Sequence, residues 1–172
     1  METEAARVGV VMRRTPLSSR WQPFQWQPVE IVSDVAPVSP VPHCLRSDHD
    51  DTRWLFNDID VTLCTAEAEG YFLNISAPSP CWFIMWRLED IDGQELGVPK
   101  SVTLSYNEAA RQMDGGERVD TLPLPDDVLE WLTAFTQAHY RPEPKRKHKK
   151  PSFEGGEGVE QMARAEGEAH GR

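Results

Sequence analysis

Long apolar runs are missing from this chain. The longest, Cys81 to Trp86, falls far short of the roughly 20 residues that a helix needs to cross a bilayer. No membrane-spanning helix is therefore expected. Cysteine is also scarce. Cys44, Cys64 and Cys81 are an odd set without C-x-x-C spacing, which argues against a secreted disulfide framework and for reduced thiols in the cytoplasm. Cys64 and Cys81 lie in apolar runs and read as small buried hydrophobes. Basic residues are few in the part of the chain where apolar residues are many. Residues 1–140 hold 10 Lys/Arg against 22 Asp/Glu. A surface that acidic repels phosphate, so nucleic acid and anionic membrane are disfavoured as partners.

Motifs for chemistry are equally sparse. There is no G-x-x-x-x-G-K-[ST] and no G-x-G-x-x-G for nucleotide phosphates. There is no G-x-S-x-G elbow, and no sequence pattern pairs a histidine with a serine or cysteine. No catalytic residue and no cofactor is therefore assigned. His43-Cys44 with His49, among Asp48, Asp50 and Asp51, is the densest ligand-like cluster. A structural zinc module needs a second ligand pair, so His43, Cys44 and His49 are weak metal candidates in a polar loop. Arg13-Arg14 before Thr15-Pro16-Leu17 has the look of an export signal, but Gln22, Gln25, Gln27 and Glu30 stand where its apolar segment should be. Export is rejected and a cytoplasmic location expected.

What is present is a domain over residues 7–140 followed by a tail over 141–172. Met1–Ala6 reads as a frayed start, and Arg7–Met12 as a short strand. Phe24–Val32 alternates in part and contains Pro28, which suits an edge strand because proline cannot donate to the ladder. Asp34–Pro42, with Pro37, Pro40 and Pro42, reads as an extended loop. Thr52–Phe56 and Ile59–Thr65 read as two strands joined by an Asn57-Asp58 turn. Glu67–Gly70 reads as a further turn into a strand Tyr71–Ser76. Cys81–Leu88 is apolar on both faces, as expected of a central strand covered on each side. Asp92-Gly93 forms a turn and Ser101–Tyr106 another strand. The S-x-x-E pattern of Ser105 and Glu108 caps a helix through Met113, which Gly115-Gly116 ends. Arg118–Leu122 is a short strand. Asp126 or Asp127 can cap a last helix carrying Val128, Leu129, Trp131, Leu132 and Phe135. His139 at its end is placed as a favourable C-terminal charge or cap. Strands followed by helices give an α+β fold, an antiparallel meander packed by two late helices. The tail begins with the basic run Lys145 to Lys150 and continues rich in Gly, Glu and Ala, a disordered composition.

Two features are candidates for holding a partner. Trp82 and Trp86 share one face of the most apolar strand and belong to the core. Trp21 and Trp26 lie in the least regular strand and are the better candidates for an exposed contact. Lys145, Arg146, Lys147, Lys149 and Lys150 form a short basic segment suited to an acidic protein surface.

Several patterns fall in the order found in a known family. Trp21, Trp26, Pro28 and Val29 resemble its W-x-x-x-x-W-x-P-V opening. Glu67, Tyr71 and Asn74 resemble its E-x-x-x-Y-x-x-N strand. Thr103, Ser105, Glu108 and Ala109 resemble its T-x-S-x-x-E-A helix start. Leu122–Pro125 with Val128, Trp131, Phe135 and His139, then the basic run, resemble its close. The family is an uncharacterised proteobacterial domain of unknown function encoded near molybdenum-dependent formate dehydrogenase genes. The resemblance implies a non-enzymatic accessory protein that binds a formate dehydrogenase subunit or maturation factor. Some relatives are named for molybdopterin-guanine dinucleotide synthesis, which implies an enzyme or cofactor handler with a Gly-rich nucleotide loop. Val8–Arg14 offers the single glycine Gly9 in that place. A regulatory interaction domain unrelated to formate is the third reading.

Overall fold

The valine-rich run Val8–Val11 builds the spine of the protein. In the computed structural model, which describes residues 2–33 and 42–142, the run lies within β1 (Thr3–Pro16). Then follow β2 (Phe24–Ser33), β3 (His43–Asp48), β4 (Asp51–Cys64), a single turn of 3-10 helix (Thr65–Glu67) and α1 (Ala68–Ile75). The rest is β5 (Cys81–Ile91), β6 (Gln94–Thr103), α2 (Tyr106–Asp114), β7 (Arg118–Pro123) and α3 (Asp126–His139). Residues 1–140 form one compact unit. The strands make a four-stranded sheet in the order β2-β1-β4-β3 and a three-stranded sheet in the order β6-β5-β7. All pairings are antiparallel. The fold is α+β, with α2 and α3 late in the chain.

Alternation explains why these strands share a core. Val8, Val10 and Met12 of β1 turn one way and are buried together with Trp82, Ile84 and Trp86 of β5. Val61 and Leu63 of β4, Leu96 and Val102 of β6, and Val128, Leu132 and Phe135 of α3 complete the same cluster. On the other face of β5, Phe83 meets Tyr106 of α2 edge to face, with the rings at 73° and their centroids 6.3 Å apart. Central β5 is thus covered on both sides, as its two-faced apolar run implies.

Five local expectations are corrected. The frayed start is strand from Thr3, because Thr3–Ala6 pair with Val61–Cys64. Asn57-Asp58 is not a hairpin turn. Both halves of β4 pair with β1, and the register skips at Gly9, so the extra residue is absorbed as a bulge with Asp58 at φ 66°. The segment 71–76 belongs to helix α1 rather than a strand, burying Ala68, Gly70, Tyr71 and Asn74. That helix is a third one, and it separates two sheets where a single meander is expected. The N-cap of α3 is Pro125, with Asp126 and Asp127 in the first turn, where acid still suits the helix dipole. Residues 34–41 of the proline-rich stretch lie outside the described residues.

Close backbone approach joins the sheets at Gly97 of β6. A Cβ there would stand 2.8 Å from Cγ of Trp26 on β2. Gly97→Ala is expected to destabilise the domain by about 1–3 kcal/mol through overpacking. Urea unfolding of the two proteins checks this.

Candidate interaction surface

The Glu-Tyr-Asn and Thr-Ser-Glu patterns come together at one joint. Glu67, Tyr71 and Asn74 are spaced at i, i+4 and i+7, which is one face of a helix. The buried Asn74 amide donates to the carbonyls of Cys81 (2.8 Å) and Leu104 (2.9 Å) and accepts from the Cys81 N–H (3.0 Å). It pins the end of α1 to the start of β5 and to the segment entering α2. The Tyr71 hydroxyl accepts from the Cys64 N–H at 3.0 Å. Burial raises its pKa above the ordinary phenol value. Ser105 donates to Glu67 Oε2 at 2.6 Å and accepts from the Glu108 N–H at 3.1 Å, which makes it the N-cap of α2. Glu108 takes the Thr103 hydroxyl at 2.8 Å, and Thr103 in turn accepts from the Ser105 N–H. Arg111 pairs with the other oxygen of Glu67. Gly70 is obligatory here, since a Cβ would fall 2.0 Å from Ser105 Oγ. These polar side chains bond to one another and to the backbone.

The structure separates the weak metal candidates. His43 pairs across from Leu55 and Cys44 from Trp54, so their side chains leave opposite faces of β3. His49 lies in the turn between β3 and β4. Among the described residues no group of three or more His, Cys, Asp or Glu is gathered to hold a metal. The expected polar loop at His43–Asp48 is a strand. Cys64 and Cys81 are half-buried rather than fully buried, and burial raises the Cys81 thiol pKa. His139 Nε2 lies 3.1 Å from Glu2 Oε2 and joins the end of α3 to the chain start.

The two tryptophans paired as exposed candidates part company. Trp21 is 94% exposed, as expected, whereas Trp26 is 4% exposed and belongs to the core. The reason is Gly97, which leaves room for the indole against β6. The basic residues Lys145, Arg146, Lys147, Lys149 and Lys150 lie outside the described residues.

One residue after Trp21, Gln22 opens onto a depression of about 420 Å³, lined by Gln22, Gln25 and Gln27 on one side and by Trp86, Arg118 and Asp120 on the other. Trp86 Nε1 donates to Asp120 Oδ2 at 2.6 Å. The Arg118 guanidinium lies 5.1 Å over the Trp86 ring, a cation–π contact. This trio was missed in the sequence. Its signal is the Arg-x-Asp alternation of β7, which puts both charged residues on one face. The arrangement offers a polar rim over an aromatic base.

Charge elsewhere is organised in arginine–carboxylate pairs. Asp51 accepts from Arg53 and Arg13, each at 3.1 Å, and Arg46 lies 3.7 Å away. The hydrogen bond from Arg53 is the main cause that lowers the Asp51 pKa. A hydrogen bond from Arg87 does the same for Glu117.

Two measurements follow from this chemistry. Asn74→Ala leaves three backbone groups without their partner and is expected to cost about 2–4 kcal/mol, read by urea unfolding. The acid limb of stability is the second. With folded-state pKa values depressed, Asp51 and Glu117 stabilise fully above their ordinary values of 3.8 and 4.5, and that contribution is withdrawn as pH falls through the lower folded values. The double variant Asp51→Asn, Glu117→Gln is therefore expected to show a lower Tm at neutral pH and a shallower fall of Tm below about pH 4. Thermal melts across pH check it.

No curated protein and no solved structure matches the chain. A family model described as protein of unknown function (DUF3305) matches residues 7–149. The match covers the domain and the joint built by its polar motif residues, and the chain belongs to that family.

Proposed function

We propose that this protein is a non-enzymatic accessory domain that holds another protein chain, a subunit or maturation factor of a molybdenum-dependent formate dehydrogenase. One observation carries the binding role: Trp21 is 94% exposed, and the residue after it, Gln22, lines a depression with an aromatic base and a polar rim. Exposed tryptophan beside such a pocket is the composition of an interface hot spot. A non-enzymatic role is supported by the joint at α1 and α2, where the chemically capable Glu67, Tyr71, Ser105 and Glu108 serve internal hydrogen bonds. The partner's identity rests on the resemblance of the four ordered motifs to a family encoded near formate dehydrogenase genes. The basic segment Lys145–Lys150 supplies a second, electrostatic contact in this reading.

Affinity capture of the tagged full chain from its host grown on formate tests the proposal. Formate dehydrogenase subunits or their maturation factors are expected in the eluate. Trp21→Ala should lower their recovery at least about tenfold while leaving Tm nearly unchanged, since the side chain packs against little. Deleting Lys145–Lys150 should lower it further. Absence of these proteins from the wild-type eluate overturns the partner assignment.

A further inference from the structure

We propose that the seam between β2 and β7 is a groove for one extended, basic peptide segment of a partner protein. The inference deepens the accessory reading and rests on it in one respect, that the domain works by holding another chain.

The two strands are edges. Among the described residues β2 pairs only with β1, and β7 pairs only with β5. An edge strand presents unpaired N–H and C=O groups, which template the addition of another strand. Three depressions follow one another along this seam. The first, described above, lies at Gln25–Gln27 and Arg118–Asp120. The second, about 390 Å³, lies at Val29–Ile31 and Leu122–Pro125. The third, about 410 Å³, lies past the end of β7, between Ala5–Val8 of β1, Ser33 at the end of β2 and the first turns of α3, and Trp82 borders both it and the second. Residue numbers rise together along both strands through the first two depressions, and Ser33 with Trp82 carries the row into the third. From Gln25 to Ser33 the strand extends about 26 Å at ~3.3 Å per residue, the length of an extended nonapeptide. A peptide bound there makes main-chain hydrogen bonds to an open edge and drops alternate side chains into the row.

Charge selects the occupant. Glu30 and Asp127 line the second and third depressions, are exposed, and make no ion pair among the described residues. The cations nearby are already engaged: Arg118 lies over Trp86, and Arg7 pairs with Asp58 at 2.9 Å. Residues 1–140 carry 12 more acidic than basic side chains, which draws a positive segment toward the groove. The matching ligand alternates apolar and Lys/Arg residues, with the apolar set against the half-buried Val29, Ile31, Leu122 and Leu124.

The test uses the purified full chain and two synthetic nonapeptides, one alternating Val with Lys and one alternating Val with Glu. Fluorescence anisotropy is expected to show the Lys peptide binding at least about tenfold more tightly than the Glu peptide. Hydrogen exchange should show protection along Phe24–Ser33 or Arg118–Pro123 when the Lys peptide binds. Glu30→Lys with Asp127→Lys should weaken that binding at least about tenfold with only a small drop in Tm, both side chains being exposed and Asp127 giving up its favourable place in the first turn of α3. The milder pair Glu30→Gln, Asp127→Asn should give a smaller loss in the same direction. Equal binding of both peptides, protection confined to other segments, or indifference to the charge variants overturns the groove. Capture of formate dehydrogenase components without peptide binding leaves the accessory reading standing and removes the groove. Peptide binding without such capture keeps the groove and removes the named partner.

Discussion

Burial of one shared apolar face holds the two sheets together. Val8, Val10 and Met12 on β1 and Trp82, Ile84 and Trp86 on β5 lie in the same core. Each fully buried large side chain contributes about 1.5–3 kcal/mol. Sheets pack this way only if their backbones approach at the right places. Gly97 is one such place, because its missing Cβ is the space that the Trp26 indole fills. The placement of Trp26 then sets where β2 lies, and with it the opening beside Trp21 and Gln22.

A second constraint is polar. A helix crossing from one sheet to the other leaves backbone groups at the ends of β4, β5 and β6 that must be satisfied when buried. Tyr71 serves the N–H of Cys64, and Asn74 serves Cys81 and Leu104. Ser105 and Glu67 tie α2 to the same point. This joint explains why the motif residues cluster: each serves a hydrogen bond within it. Their spacing answers to hydrogen-bond geometry. Trp21 is exposed elsewhere, and β2 and β7 stand at the edges of their sheets among the described residues.

Legibility in the sequence followed physical type. The capping box at Ser105, the turn at Asp92-Gly93, the edge strand with Pro28 and the central strand at Cys81 were all readable, because each is set by local chemistry or by alternation. The helix at Ala68–Ile75 was not. Tyr71, Leu73 and Ile75 alternate like a strand, while Glu67, Tyr71 and Asn74 repeat like a helix, and a short segment fits both periods. Asn57-Asp58 was ambiguous for a related reason. Left-handed backbone is favourable for Asp in a hairpin and in a bulge alike, and β1 pairing along the whole of β4 decides which. Trp26 was placed outside because nothing near it in sequence announces Gly97, 71 positions on.

The sequence by itself determined the α+β class, the late helices, the acidic domain surface and the lack of a recognisable catalytic motif. These depend on composition, periodicity and caps, which act over a few residues. Only the tertiary structure decided that the strands divide into two sheets, that Trp26 is core and Trp21 is surface, and that the Arg118–Trp86–Asp120 trio meets beside β2. Those outcomes depend on contacts between residues far apart in the chain, and local pattern carries no record of which distant side chain will fill a given space.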